Sequence, residues 1–503
     1  MKITPKFIKR ILLLILTVLF LLPAVISCKD NSGNDNNNNT DENQNSQSDE
    51  KSDSGETPPD SATTGEYEYP DMDGGGRDFT IFAPSTTWGF YTDIVFDEMT
   101  GDILDDAIYK RNRFIEDKFN INLKEMNAEA GVLSGQLRRI ITSGEDVYDA
   151  ALIPVIHGGA IGNLIIENLF YNLREIPTMN LDEKWYNQMM LKEAAIGKGD
   201  KLYYASCDID MMTLQCVMCV FFNQDMMTNL GLDLPYNIVR EGKWTFDVFN
   251  QYMKDGAQLN GDETFKWNRN GNSIYGMSSY QVSATALLAG SGERMTVTDS
   301  NGVPHLTIEG QRFIDVIEKI KGMLLVNDGS YLYAGDMPSR HCEPLFMGGR
   351  AMMVMVELKG ADVFREMDAT FGIIPSPKYD QYQENYYTLC TNGTPVLVIP
   401  ATNPREEFTG AVLDAMAYVS NRDVTPIFFD VTVSQKRLRN DDSIDMLQII
   451  RDNNSFNVGF AYGWIEDFFY PISQSKDVNM ASQTEKYKDK IIANIEKTME
   501  FFE

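Results

Sequence analysis

Two cysteine settings stand out before any element is drawn. Cys28 follows Ser27 at the end of an apolar run, and a free thiol beside a small residue is what covalent lipid attachment requires. Cys216-Val-Met-Cys219 has the spacing of a zinc or redox pair. It lies in an apolar run, 216–222, that reads as a buried strand. Positions three apart on a strand face opposite sides, so two buried, hydrophobe-like thiols are expected there rather than a metal site. Other reactive settings are scarce: the chain has no Gly-x-Ser-x-Gly, no His-Glu-x-x-His and no His/Cys set at metal spacing. Acidic pairs are plentiful, which leaves glycosidase-type carboxylate chemistry open on composition alone. The expectation is no catalytic residue, no metal and no cofactor.

The residues before Cys28 fall into zones. Lys2, Lys6, Lys9 and Arg10 make a basic flank, 11–22 is apolar, and Val25-Ile26-Ser27-Cys28 closes the segment. The apolar run is shorter than the roughly 20 residues needed to span a bilayer core, so 1–27 reads as a signal peptide. Its last four residues resemble a bacterial lipobox. An uncleaved anchor helix fits less well, because a tether follows Cys28 rather than a domain. Residues 28–76 are expected to be the lipidated cysteine and a disordered acidic linker, rich in Asn, Asp, Ser, Glu and Gly. The expected location is the extracytoplasmic face of the cell membrane, lipid-anchored.

The remaining chain of about 430 residues is too long for one core, so two lobes are expected. A formal net charge of −29 argues against nucleic acid as a partner. Five cysteines remain beyond Cys28 (Cys207, Cys216, Cys219, Cys342, Cys390), an odd set and no disulfide framework.

From Phe79 the pattern alternates. Residues 79–83 and 121–125, and then 148–153, read as strands; the stretches between them carry apolar residues at helical spacing, among them Ile108, Ile115 and Phe119. This βαβαβ order implies a parallel sheet covered on both faces. Farther on, strands are expected at 216–222, 351–356 and 394–399. A helix with Thr245 as its cap should begin near Trp244, and an amphipathic helix should run over 309–325. Asp299-Ser-Asn-Gly302 between two short strands signals a hairpin. The chain ends in a helix over 484–501.

The order of these segments resembles the extracellular solute-binding proteins of ABC importers, the family-one group that includes carbohydrate binders. Arg113-Phe-Ile-Glu-Asp-Lys-Phe-Asn-Ile121 is similar to that family's first helix and following strand. Lys201-Leu-Tyr-Tyr resembles its Gly-Lys-Leu-Tyr, with Asp200 in place of the glycine. Phe346-Met-Gly-Gly-Arg-Ala-Met-Met353 resembles Phe-x-x-Gly-Lys-Ala-Ala-Met, and Phe371-Gly-Ile-Ile-Pro-Ser-Pro377 resembles Phe-Gly-x-x-Pro-x-Pro. The resemblance implies an α/β, two-lobed, periplasmic-binding-protein-like fold with a ligand cleft between the lobes. Lobe one would be 77–210 plus 390–435, and lobe two 211–389 plus 436–503. It further implies a monomer that captures a small-molecule solute, a mono- or oligosaccharide in the first instance, for ABC permease subunits. A surface-anchored glycoside hydrolase and a binding protein feeding a sensor kinase are the alternatives.

A sugar cleft calls for flat rings to stack on C–H faces and polar groups to meet hydroxyls, set at the C-terminal ends of strands. Trp88, after the first strand, is a stacking candidate or a packing tryptophan. His157, followed by two glycines after the third strand, is a ligand contact or a helix cap. Asp208 and Asp210 stand where the family's chain crosses between lobes, and are ligand contacts or turn residues. Tyr280 and Glu357 follow strands of the second lobe, and Trp464 resembles the late aromatic of carbohydrate binders.

Overall fold

The computed structural model describes residues 67–85, 89–155, 160–198, 201–339, 341–391, 393–434, 441–474 and 479–503. Cys28, Trp88 and His157 lie outside them, as does the expected signal peptide. The contacts of Glu66–Glu503 make one unit, and two sheets organise it. No described helix is long and apolar enough to cross a membrane.

The first sheet has the order β12-β3-β1-β2. Strand β1 (Arg77–Pro84) runs parallel to β2 (Ile121–Ala128) and to β3 (Ala150–Pro154), while β12 (Pro395–Val398) lies antiparallel outside β3. The intervening helices follow from the sequence. Asp102 caps the helix Ile103–Phe119 by accepting from the Leu104 and Asp105 N–H groups, and Leu104, Ile108, Ile115 and Phe119 are buried at helical spacing. Asn120 ends it at φ 49°, a left-handed turn that asparagine tolerates, and β2 starts at the next residue. Leu133, Leu137 and Ile141 are the buried stripe of the helix Ala130–Thr142.

Two polar positions interrupt these apolar faces. Arg111 is 2% exposed, yet all five of its N–H groups are satisfied. Nε and Nη2 donate to Asn112 Oδ1, Nη2 also to the Ile94 carbonyl, and Nη1 to the Ile209 carbonyl and Ser420 Oγ. Burial lowers its pKa to about 10, which still leaves the guanidinium charged at neutral pH. Asp414, in the helix Glu406–Val419, is fully buried and accepts five hydrogen bonds. They come from Asn180 N (2.9 Å), Asn180 Nδ2 (2.7 Å), Trp185 Nε1 (3.1 Å), Tyr186 Oη (2.9 Å) and Tyr67 Oη (2.8 Å).

The last of these donors corrects the expected linker. Residues 67–76 belong to the body instead of continuing the tether. Tyr67 stacks on Tyr418 at 4.4 Å and meets Trp185 edge-on, and Tyr67, Tyr69 and Met72 all pack against the core. These three side chains supply the apolar surface that the Asn/Ser-rich stretch before them lacks.

The second sheet has the order β10-β4-β9-β5-β8. Its strands are β4 (Met218–Asn223), β5 (Tyr275–Ser279), β8 (Tyr331–Tyr333), β9 (Ala351–Glu357) and β10 (Phe371–Ile374). β9 and β5 are parallel, as are β5 and β8, and β4 is antiparallel to both β9 and β10. Every residue of β4, β5, β9 and β10 is buried. A Cβ at Gly276 would stand 1.7 Å from the Met253 carbonyl oxygen, so the helix Phe246–Asp255 lies directly on β5. The predicted hairpin is present as β6 (Thr296–Thr298) and β7 (Pro304–Leu306). The helix Gln311–Leu324 and the closing helix Met480–Phe502 are also present.

The chain leaves the first sheet after Ala205, which bridges Leu397, and reaches β4 through the short helix Met211–Gln215. It returns beside this path: Val217 bridges Cys390, Thr391 N donates to the Cys216 carbonyl at 2.8 Å, and β12 follows. A parallel pair, β11 (Thr388–Leu389) and β13 (Asn454–Ser455), flanks the crossing.

Candidate functional site

β5 and β9 are parallel neighbours, Ser279 opposite Met355, so their C-terminal ends lie side by side at one end of the sheet. Tyr280 and Glu357 stand there, and the phenol of Tyr280 donates to Glu357 Oε1. Burial, reinforced by the Glu357 carboxylate, pushes the Tyr280 pKa well up, so the phenol stays a donor. Glu357 Oε2 has no hydrogen-bond partner among the described residues. The Met218 sulfur lies 3.8 Å from the phenol oxygen. The two residues, named separately from the sequence as strand-end candidates, meet in this one hydrogen bond.

Side chains that sequence reasoning passed over join this edge to the first sheet. Gln215, at the end of the crossing helix, accepts from Tyr91 N through Oε1 (2.7 Å) and donates to Asp362 Oδ2 through Nε2 (3.3 Å). Tyr91 belongs to the loop after β1, and Asp362 to the helix Gly360–Phe364 after β9. The Lys359 ammonium lies 3.9 Å from the Phe90 ring centroid. Burial pushes the Asp362 carboxyl up. The available signal was Glu357-Leu-Lys359, two charges directly after an all-apolar strand. The arrangement gathers a ring, a cation and carboxylates near the strand ends.

Asp208 and Asp210 are committed elsewhere. Asp208 Oδ2 accepts from Asn421 Nδ2 (2.6 Å), Thr425 Oγ1 (3.1 Å) and Arg451 Nη2 (3.4 Å), which ties the first crossing to later helices. Asp210 caps the helix Met211–Gln215, accepting from Thr213 N at 2.8 Å and from the Thr213 hydroxyl. Burial pushes its carboxyl up to about 7. Both carboxylates thus hold the crossing segment in place, Asp208 through distant side chains and Asp210 as a helix cap. Trp464 is likewise buried, stacked on Tyr462 at 5.0 Å with its indole N–H donated to Thr498 Oγ1 at 3.0 Å. Its ring faces are taken by packing.

The two cysteines of 216–219 are buried and apart, as expected, for a different local reason. Cys216 ends the crossing helix and packs with Phe90, Met212 and Cys390, while Cys219 belongs to β4 in the main core. The strand begins at Met218, two residues later than the apolar run suggested. A separate cavity of about 600 Å³ opens between the helix Gln188–Ala194, the β6–β7 hairpin and residues 456–458. Neither Tyr280 nor Glu357 lines it.

No protein-family model matches the chain, and no curated protein sequence matches it. Solved structures do. An ABC substrate-binding protein from Listeria monocytogenes in complex with cycloalternan superposes with a TM-score of 0.53 at 13% identity, over 85% of this chain and 100% of its own. The cyclic alpha-maltosyl-1,6-maltose binding protein of Arthrobacter globiformis gives 0.53 at 11%, over 85% and 99%. UgpB from Mycobacterium tuberculosis, in complex with glycerophosphocholine, gives 0.51 at 12%, over 78% and 96%. The likeness establishes the fold that the resemblance implied: α/β, two-lobed and periplasmic-binding-protein-like over most of the chain.

Proposed function

We infer that this chain is an extracytoplasmic solute-binding protein that captures a carbohydrate and passes it to the permease of an ABC importer. The observation that carries the reading is the edge formed by Tyr280 and Glu357, whose second carboxylate oxygen has no partner among the described residues, on this fold. The solved relatives in complex with cycloalternan and named for cyclic maltosyl-maltose support a saccharide as the solute. In this reading lobe one is 77–210 plus 390–435 and lobe two is 211–389 plus 436–503, and closure of the lobes is what the permease recognises. Trp88 and His157 follow β1 and β3 in sequence and are proposed as further contacts. The protein works as a monomer without turnover, held to the membrane by lipid on Cys28.

A thermal-shift screen of the full chain against neutral mono- and oligosaccharides, glycerophosphodiesters, peptides and polyamines tests the solute. A cleft ligand at about 100 times its Kd stabilises by about 2.7 kcal/mol through mass action. Stabilisation by a saccharide, weakened in Glu357→Gln, is expected. A response to glycerophosphodiesters alone would remove the carbohydrate reading, and product release from an oligosaccharide would turn it toward a hydrolase. Cys28→Ser should move the protein from the membrane to the soluble fraction; retention on the membrane refutes the anchor.

A further inference from the structure

We propose that the 600 Å³ crevice beside the β6–β7 hairpin, which takes residues from both lobes as divided above, is a ligand site separate from the Tyr280–Glu357 edge, selective for a small hydroxylated organic anion such as a sugar acid or a sugar phosphate. Its charge balance runs against that of the chain. Three cations, Arg174, Lys192 and Arg294, line it, against two carboxylates, Glu193 and Asp299, in a protein of net charge −29.

The carboxylates are already used. Glu193 Oε1 accepts from Arg294 Nε at 2.9 Å and Oε2 from Phe456 N at 3.0 Å. Asp299 accepts from the Asn301 and Val303 N–H groups of its own turn and faces His305 Nε2 at 2.9 Å. The cations keep capacity. Arg294 donates through Nε to Glu193 and through Nη1 to the Glu293 carbonyl (3.2 Å), and Nη2 has no partner among the described residues. Lys192 has no ion-pair partner among them, and Arg174 pairs only with the exposed Asp182.

The polar lining is also incomplete without an occupant. Asn457 is 8% exposed and its Oδ1 accepts from Thr296 Oγ1 and Gly459 N, both at 2.9 Å, which leaves the amide N–H groups without a partner among the described residues. The buried Thr298 hydroxyl has none either. A guanidinium edge for an anion, with a buried amide donor and a hydroxyl beside it, fits a ligand carrying a carboxylate or phosphate on a hydroxylated chain. A neutral saccharide would bring no charge to Lys192 or to the free edge of Arg294, whose other edge answers Glu193.

Isothermal titration of the full chain with gluconate, glucose 6-phosphate, inorganic phosphate and neutral glucose tests the assignment. Gluconate or glucose 6-phosphate should bind with submillimolar Kd, and the tighter of the two identifies the head group. Arg294→Gln should weaken binding at least tenfold. Lys192→Gln, at an exposed rim position that does not threaten folding, should weaken it severalfold. Glu357→Gln, and saturation with any neutral saccharide found to bind, should leave it unchanged. Loss in Glu357→Gln, or competition by a neutral saccharide, would place the anion in the strand-end cleft and overturn the proposal. So would binding of neither organic anion, affinity unchanged by both Arg294→Gln and Lys192→Gln, or inorganic phosphate binding as well as either probe, which means an adventitious ion only.

Discussion

Replacing Asp414 tests whether one buried carboxylate holds the start of the body to its core. Five donors converge on it. In Asp414→Ala the part-buried donors of Tyr67 and Asn180 can turn to water, whereas Trp185 Nε1 and Tyr186 Oη are buried and cannot. Two orphaned buried donors at about 1–3 kcal/mol each give about 2–6 kcal/mol. Relief from burying a carboxylate that has no cation beside it returns part of this, so about 3 kcal/mol of destabilisation is expected. Asp414→Asn keeps an acceptor oxygen, and both Asn180 and the Tyr67 hydroxyl can reorient toward its amide, so a loss near 1 kcal/mol is expected. Tyr67→Phe removes one part-buried hydroxyl and keeps the ring stacked on Tyr418, again about 1 kcal/mol. Urea midpoints at unchanged slope read these differences. If Asp414→Ala loses less than 1 kcal/mol, or Asp414→Asn loses as much as Asp414→Ala, the acceptor-hub account is wrong.

Asp210 gives a pH dependence. Its folded pKa of about 7 lies above the ordinary value of about 3.9, so the stability it contributes is greatest at low pH and is lost as pH rises toward 7. Burial raises Asp208, Glu193 and Glu125 with the same sign. The urea midpoint should therefore fall from pH 5 to pH 7.5, and Asp210→Asn, which still accepts from Thr213 N, should flatten that fall; an unchanged slope would discard the assignment. Arg111→Lys cannot supply five donors to the four acceptor atoms around Arg111 and should lose about 2–4 kcal/mol by the same titration. Gly276→Ala drives a methyl into the Met253 carbonyl and should abolish soluble expression; wild-type yield would show that β5 and its covering helix can separate.

Local periodicity made the first sheet legible: alternating strands and three- or four-residue apolar spacing predicted β1, β2, β3 and both helices between them close to their observed ends. The hairpin was legible from Asp299-Ser-Asn-Gly302 for the same local reason. What escaped depended on partners far along the chain. Asp208 looked available because Asn421, Thr425 and Arg451, which occupy it, lie more than two hundred residues away. Trp464 looked like a ligand aromatic until Tyr462 and Thr498 claimed it. Trp244, expected only to mark the start of a helix, is fully buried with its N–H on the Pro375 carbonyl. Thr245 does occupy the cap position of the helix Phe246–Asp255, but without a side-chain capping bond. Tyr67 and Tyr69 were hidden in a polar composition, although two tyrosines in such a stretch, and one aspartate amid Ala411, Leu413, Ala415 and Met416, were signals that could have been joined.

The five described cysteines sit unpaired in the interior, and burial raises every one of their thiol pKa values. A thiol held protonated is a poor nucleophile, so the finished protein is inert to disulfide exchange. The extended chain has no such protection, because its thiols return to ordinary pKa values. Refolding in air is thus a race between closure of the two sheets and oxidation of the exposed thiols. A variant that closes slowly would be lost to mispaired, cross-linked species unless a reductant is present.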